Sequence, residues 1–218
     1  MERFAGGKRK VVFLLGNAPS ITTFSISHLN KFGYTFGVNR ILLHGNPHAV
    51  VICDREPYWQ MLGRFRAYNG VKIFANQTFD PQVKCRQEET PPIPEFEFLS
   101  YNVTTDGRLT IPTFNVRKGI MSGANIAVQA LQILIACGFT TIGILGVDLV
   151  YKHGNTHFWG DGSSYGAVPV NASRSIRAFR LIKQAVPSYS IFNLSPVVGP
   201  LSSVFLSMHI NDFMEKYC

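Results

Sequence analysis

Apolar residues along this chain fall into short unbroken runs that alternate with stretches of helical period. VVFLL at residues 11–15 is apolar throughout, β-branched at its start, and stopped by Gly16, Asn17, Ala18, Pro19 and Ser20. A run of that length bounded by turn residues predicts a strand buried on both faces. YTFGVNRI (34–41), HAVVICD (48–54), VKIFAN (71–76), TTIGILGVDL (140–149) and YSIFNLSP (189–196) predict further strands. Between them, SITTFSISHL (20–29) predicts a short helix capped by Ser20 or a nearby threonine. EPYWQMLGRFRAY (56–68) predicts a helix with Pro57 near its first turn. Ser122 and Gly123 open a helix that runs to about Cys137 and stops at Gly138. Its Ala124, Ala127, Val128, Leu131 and Ile135 form a wide apolar face. SRSIRAFRLIKQAV (173–186) predicts another helix, and the residues after Pro200 a last one. Strands alternating with helices predict an α/β fold: a single domain over residues 1–218, Rossmann-like, with a mainly parallel sheet.

Residues 77–118 break this rhythm. Pro81, Pro91, Pro92, Pro94 and Pro112 interrupt it, and acidic residues gather there. The segment reads as a loop-rich insertion, a lid over the core.

Composition narrows the class. Hydrophobic residues make up 46% of the 218 and charged residues 16%, values of a globular chain. No apolar run approaches the ~20 residues of a membrane span. The basic N-terminus lacks the long apolar segment of a signal peptide, so the expected location is the cytoplasm, the host's if the gene is a bacteriophage's. Cys53, Cys85, Cys137 and Cys218 show no metal-type pairing. The formal net charge of +8 suits a polyanionic partner: nucleic acid, an anionic membrane surface or a charged glycan. General solubility explains the charge equally simply.

Ligands of such sheets bind beyond the carboxyl ends of the strands. The candidates there are Gly16, Asn17 and Ser20 after the first strand, Asn39 and Asp54 after the second and third, and Ser122 and Gly123 before the buried helix. Val147, Asp148 and Tyr151 follow GILG, then comes HGNTHFWGD, and Asn193 and Ser195 close the last strand. The first loop has one glycine where a dinucleotide fingerprint needs three, and it lacks the lysine of a P-loop. A tight turn with a helix cap explains it as well as a ligand does. Ser122-Gly123 suits a phosphate at a helix N-terminus, or is a plain serine cap. His157, between glycines and beside Phe158 and Trp159, suits a general base near neutral pH, or is a packed loop histidine. His153 raises a metal-pair reading, but no third ligand is obvious. No D-x-D or D-x-x-D pair lies near a strand end, so a metal–diphosphate clamp is not expected.

The order GNAPS, VN, SGANIAVQALQILIACGFTTIGILGVDLVY, NTHFWG and FNLSP resembles the small bacterial sialyltransferases of surface glycans. It also resembles the wider family related to archaeal 6-hydroxymethylpterin pyrophosphokinases. The likeness covers roughly residues 9–75 and 119–206, with Ala18 where the sialyltransferases have a second glycine. The resemblance implies a GT-A-like variant of the Rossmann-like fold and a metal-independent, inverting glycosyltransferase using a CMP- or UDP-linked sugar. It implies that Gly16, Asn17 and Ser20 touch the donor nucleotide and its phosphate, that Asn39 contacts the donor near the reacting centre, and that Ser122 and Gly123 hold the nucleotide end. Asp148 belongs to the same donor site, Tyr151 gives a phosphate-facing hydroxyl, and His157 deprotonates the acceptor.

Arg174, Arg177, Arg180 and Lys183 recur every third residue, a ribbon around one side of a helix. Arg64, Arg66, Arg117 and Lys118 add charge elsewhere. The ribbon is either a solvated face or a track for a phosphate backbone. A small basic transferase without a membrane anchor suits DNA as acceptor, as in bacteriophage glycosylation of a hydroxymethylated base. The competing expectations are a cell-surface glycan acceptor, a Mg²⁺-dependent pterin pyrophosphokinase using Asp54 and Asp148, and a non-catalytic nucleotide- or DNA-binding module.

Overall fold

The protein is described by a computed structural model that covers residues 11–76, 99–104, 112, 114–150, 157–160 and 168–218. The sheet is built from β1 (Val11–Leu15), β2 (Tyr34–Val38), β3 (Ala49–Ile52), β4 (Val71–Ala75), β5 (Leu99–Tyr101), β8 (Thr141–Leu145), β9 (Ser190–Asn193) and β10 (Leu206–Ser207). Its order is β10-β9-β8-β1-β2-β3-β4-β5, and every pairing in it is parallel. Two short strands, β6 (Val103–Thr104) and β7 (Ile120–Met121), pair separately. The expected α/β architecture with a mainly parallel sheet is what the chain forms. Among the described residues no helix is long and apolar enough to cross a membrane.

Burial on both sides of the sheet follows from the unbroken apolar runs. In β1, Val12 and Leu14 join one core cluster while Val11, Phe13 and Leu15 join the other. The first cluster holds the sheet against α4 (Ile126–Ala136) and α5 (Val168–Ala185). The second holds α1 (Ile26–Leu29), α2 (Arg55–Gln60), α3 (Leu62–Ala67) and α6 (Ile210–Tyr217). Three layers result, with helices on both faces, as parallel sheets require.

Several boundaries differ from the sequence reading. Ser20 does not cap a helix: residues Pro19–Thr23 form a 3-10 turn, and Ser25 caps α1 by accepting from His28 N at 3.3 Å. The helix expected over 56–68 is two, α2 and α3, separated at Met61 (φ −114°, ψ 12°). Ser122 and Gly123 precede α4 rather than start it. Gly123 (φ 59°) and Ala124 (φ 54°) are both left-handed, and Asn125 is the cap. The chain cannot enter a right-handed helix until after that pair. The loop-rich insertion at 77–118 contributes β5 and β6, and most of its remaining residues, on which the lid reading rests, lie outside the described residues. The strand β10, two exposed residues before α6, has no signature in the sequence.

One half-buried histidine, His48, should give this fold a pH dependence. His48 Nδ1 accepts from Thr35 N at 3.1 Å, so that nitrogen carries no proton in the folded chain. Burial holds its pKa below the ordinary 6.5. The neutral form is the folded one, so its contribution to stability is complete above pH 6.5 and is lost as pH falls through the depressed value. Melting between pH 8 and pH 5 should show wild type losing more stability on acidification than His48→Gln. Parallel curves would mean that His48 does not carry the effect.

Candidate functional site

The strands after β1 step away in one direction, β2 to β5, and the later strands step away in the other, β8 to β10. The reversal lies between β1 and β8. In parallel sheets this is where neighbouring loops part and leave a crevice. A cavity of about 320 Å³ opens at this point. Gly16, Asn17, Asn39, Asp54, Asp148 and His157 all line it. Ser20, Ser122 and Gly123 do not, and Tyr151 lies outside the described residues.

The small residues after β1 have a local cause. Gly16 N donates to Leu145 O and Ala18 N to Gly146 O, both at 2.8 Å. A Cβ on Gly16 would lie 2.1 Å from Gly146 O. The glycine therefore lets two backbones touch. Ser20 N reaches Asp148 Oδ2 at 3.4 Å, and Ser20 Oγ donates to Asp148 Oδ1 at 2.6 Å. Three amides and the hydroxyl of this loop are thus turned inward. Ser20, expected at the donor phosphate, is buried, bonded to a carboxylate and not among the residues lining the cavity. Asp148 is itself a fastener, since Ser195 Oγ also donates to its Oδ1 at 2.6 Å.

What the loop offers the cavity is Asn17. It is 8% exposed, its Nδ2 donates to Val38 O at 3.0 Å, and its Oδ1 is buried with no hydrogen-bond partner. Asn39 repeats the pattern from the end of β2. Its backbone is left-handed (φ 46°), its Nδ2 donates to Asp54 Oδ2 at 3.4 Å, and its Oδ1 is also buried without a partner. A buried carbonyl left unpaired costs about 1–3 kcal/mol, and both of these residues line the cavity.

Asp54 is exposed by area but sits in the concave wall. Desolvation by that wall raises its pKa above the usual aspartate value, more than the Asn39 hydrogen bond and the Arg40 charge lower it.

An anion has a different place to go. Residues 124–127 at the start of α4 line the cavity. The Asn125 side chain caps the helix by accepting from Ala127 N at 2.8 Å. The N-terminus of an eleven-residue helix carries a partial positive charge facing the same space. The expectation for Ser122 and Gly123 thus moves a few residues on. Ser122 instead accepts from Asn125 N through its carbonyl, and Gly123 packs where a Cβ would meet Val128 at 2.4 Å.

His157 lines the same cavity. It forms an antiparallel bridge with Gly160, each donating to the other's carbonyl at 3.1 Å. Phe158 N donates to Asn17 O at 3.0 Å, which ties this turn to the first loop. Trp159 stacks on the imidazole at 4.5 Å and 19°, and the Arg40 guanidinium lies 5.1 Å from the Trp159 ring centre. Arg40 is in turn paired with Glu56 at 3.5 Å. These contacts fix the plane of the histidine ring without a helix or strand beneath it.

Asn171 also lines the cavity and was not singled out in the sequence. It falls inside α5, which starts five residues before the predicted helix. Asn125 was missed because the helix was expected to open at Ser122 and Gly123, which puts this residue inside it rather than at its cap. Among the described residues no cluster of three or more His, Cys, Asp or Glu could hold a metal ion. No protein-family model, curated protein or solved structure matches this chain.

Proposed function

We propose that the protein is a metal-independent, inverting glycosyltransferase that moves a sugar from a nucleotide-sugar to an acceptor hydroxyl, on a GT-A-like variant of the Rossmann-like fold. One observation carries this reading. A single crevice at the β1/β8 reversal brings together a histidine, two unpaired amide oxygens and a helix N-terminus.

Each feature suits one part of the reaction. A sugar presents hydroxyl donors, and Asn17 Oδ1 and Asn39 Oδ1 need donors. The donor phosphate lies at the start of α4, where the helix dipole favours negative charge. His157 takes the proton of the acceptor hydroxyl as its oxygen attacks the anomeric carbon. The bond from that carbon to the phosphate oxygen breaks, and the nucleotide leaves with the electron pair, its charge facing the helix. Attack from the side opposite the leaving group inverts the anomeric centre. The acceptor is read as a hydroxymethylated base in DNA.

A second reading has an observation in its favour. Asp54 and Asp148 line the same cavity, and Asp148 Oδ2 has only a long contact, 3.4 Å, to Ser20 N. Two carboxylates with Mg²⁺ would suit pyrophosphoryl transfer.

Melting the protein with CMP, UDP, GDP or ATP, each with and without Mg²⁺, separates the two. A pyrimidine nucleotide at a hundred times its Kd should raise Tm by roughly 5–10 °C, with or without Mg²⁺. A shift confined to ATP with Mg²⁺ would select the second reading. No shift with any nucleotide would overturn both.

A further inference from the structure

We infer that the exposed face of α5 is a track for single-stranded nucleic acid that delivers one nucleotide to the cavity. Arg174, Arg177, Arg180 and Lys183 are all exposed. Steps of three residues turn each cation about 60° back from the last, so the row crosses the solvent face diagonally over about 13–14 Å. Arg174 lies near one edge of the buried face formed by Ser175, Ala178, Phe179 and Ile182, and Lys183 lies near the other.

Among the described residues no acidic side chain pairs with this row. The helix contains no Asp or Glu. Among the described residues Arg174 and Arg177 make no hydrogen bond or ion pair. Arg180 donates to Ser203 Oγ at 3.2 Å and Lys183 to Val204 O at 2.5 Å, so these two are steadied by neutral oxygens and keep their charge. Arg64 and Arg66 do not extend the patch, because α3 packs on the other side of the sheet.

The row also has a direction. Arg174 follows Asn171 by one helical turn, and Asn171 lines the cavity. A polyanion bound along α5 therefore ends at that opening. Beside His157, which lines the cavity, Trp159 stacks on the imidazole and has the Arg40 guanidinium 5.1 Å from its ring centre, an aromatic–cation cluster of the kind on which bases stack. A cationic track leading to such a surface fits nucleic acid better than a glycan, whose units lack a π-face. Four cations give a short footprint. A single strand, whose bases are already free, fits it better than a duplex that must be unpaired first.

This deepens the proposed transfer by naming its acceptor strand, and it can fail separately from it. The test is fluorescence anisotropy, without donor sugar, of a labelled single-stranded oligonucleotide longer than ~16 nucleotides. With four contacts, log affinity against log salt should have a slope of about −2.8, roughly a fifty-fold loss from about 50 to about 200 mM salt. Arg174→Gln/Arg177→Gln should halve the slope, leaving roughly a seven-fold loss over that range. Arg174→Lys/Arg177→Lys should keep the wild-type slope. A wild-type slope in the glutamine variant overturns the track. Duplex bound as tightly as the single strand overturns the strand preference. Heparin competing as well as the oligonucleotide at equal charge would assign the face to anionic glycans instead. The glutamine variant should keep the nucleotide-induced rise in Tm, whereas Asn17→Ala should lose that rise and keep the slope.

Discussion

Replacing His157 by alanine should lower kcat for sugar transfer by about 10²–10⁴-fold, the usual contribution of a general base. Binding of the donor nucleotide should hardly change, because the imidazole is assigned to the acceptor's proton and not to the donor. The ring is set by its stack on Trp159, and its backbone by the bridge to Gly160 and by Phe158 N on Asn17 O. None of those backbone bonds needs the imidazole, so the variant should fold and keep the nucleotide-induced rise in Tm. His157→Gln, which retains a polar group of similar reach, should be as slow as alanine. Asp54→Asn is the necessary companion. Asp54 lines the same cavity, and desolvation raises its pKa, so it is a second group able to accept a proton there. If Asp54→Asn stops the reaction and His157→Ala does not, the base is the carboxylate and the assignment of His157 falls.

The parts of this site that were legible in the sequence are those set by one local rule. Unbroken apolar runs mark parallel strands, and ligand groups follow their carboxyl ends, which led to Asn17, Asn39 and His157. What could not be read depends on contacts across the chain. Ser20 has the residue type and position of a helix cap, yet its hydroxyl is held by Asp148, 128 residues away. Gly16 looks like room for a ligand, yet it answers to Gly146 in the loop beside it. The SG pair sits ahead of a buried helix, but two successive left-handed residues delay the helix start until after Asn125. Asn171 hides within a helix, where asparagine carries no positional meaning until the helix end is seen against the cavity. The sheet order was likewise not in the pattern. Alternation of strands and helices predicts a parallel sheet, but it does not say that β1 lies between β2 and β8, and that adjacency is what creates the crevice.

Asp148→Ala should destabilise the protein by about 3 kcal/mol and lower its Tm by roughly 6–12 °C. The carboxylate is 5% exposed and joins the loops after β1, β8 and β9 through Ser20 and Ser195, each at 2.6 Å. Removing it leaves the buried Ser20 amide without its acceptor and Ser20 Oγ with only Ser195 Oγ, 3.3 Å away, and an unpaired buried donor costs more than its bond contributed. The loss should be smaller in Ser20→Ala/Asp148→Ala than the sum of the single variants, because the two share one interaction. Function should suffer beyond stability. Ser20 lies three residues after Asn17, so releasing it loosens the residue that the proposed reaction assigns to the donor, and on that proposal KM for the nucleotide-sugar should rise in protein that is still folded. Asp148→Asn separates fastening from metal binding. The amide keeps an oxygen for one serine, so about half of the stability and most of the metal-free transfer should remain. If Asp148 instead held Mg²⁺ for pyrophosphoryl transfer, the asparagine variant would keep its fold and lose the reaction. Unchanged melting in Asp148→Ala would show that the three loops are held by their backbones alone.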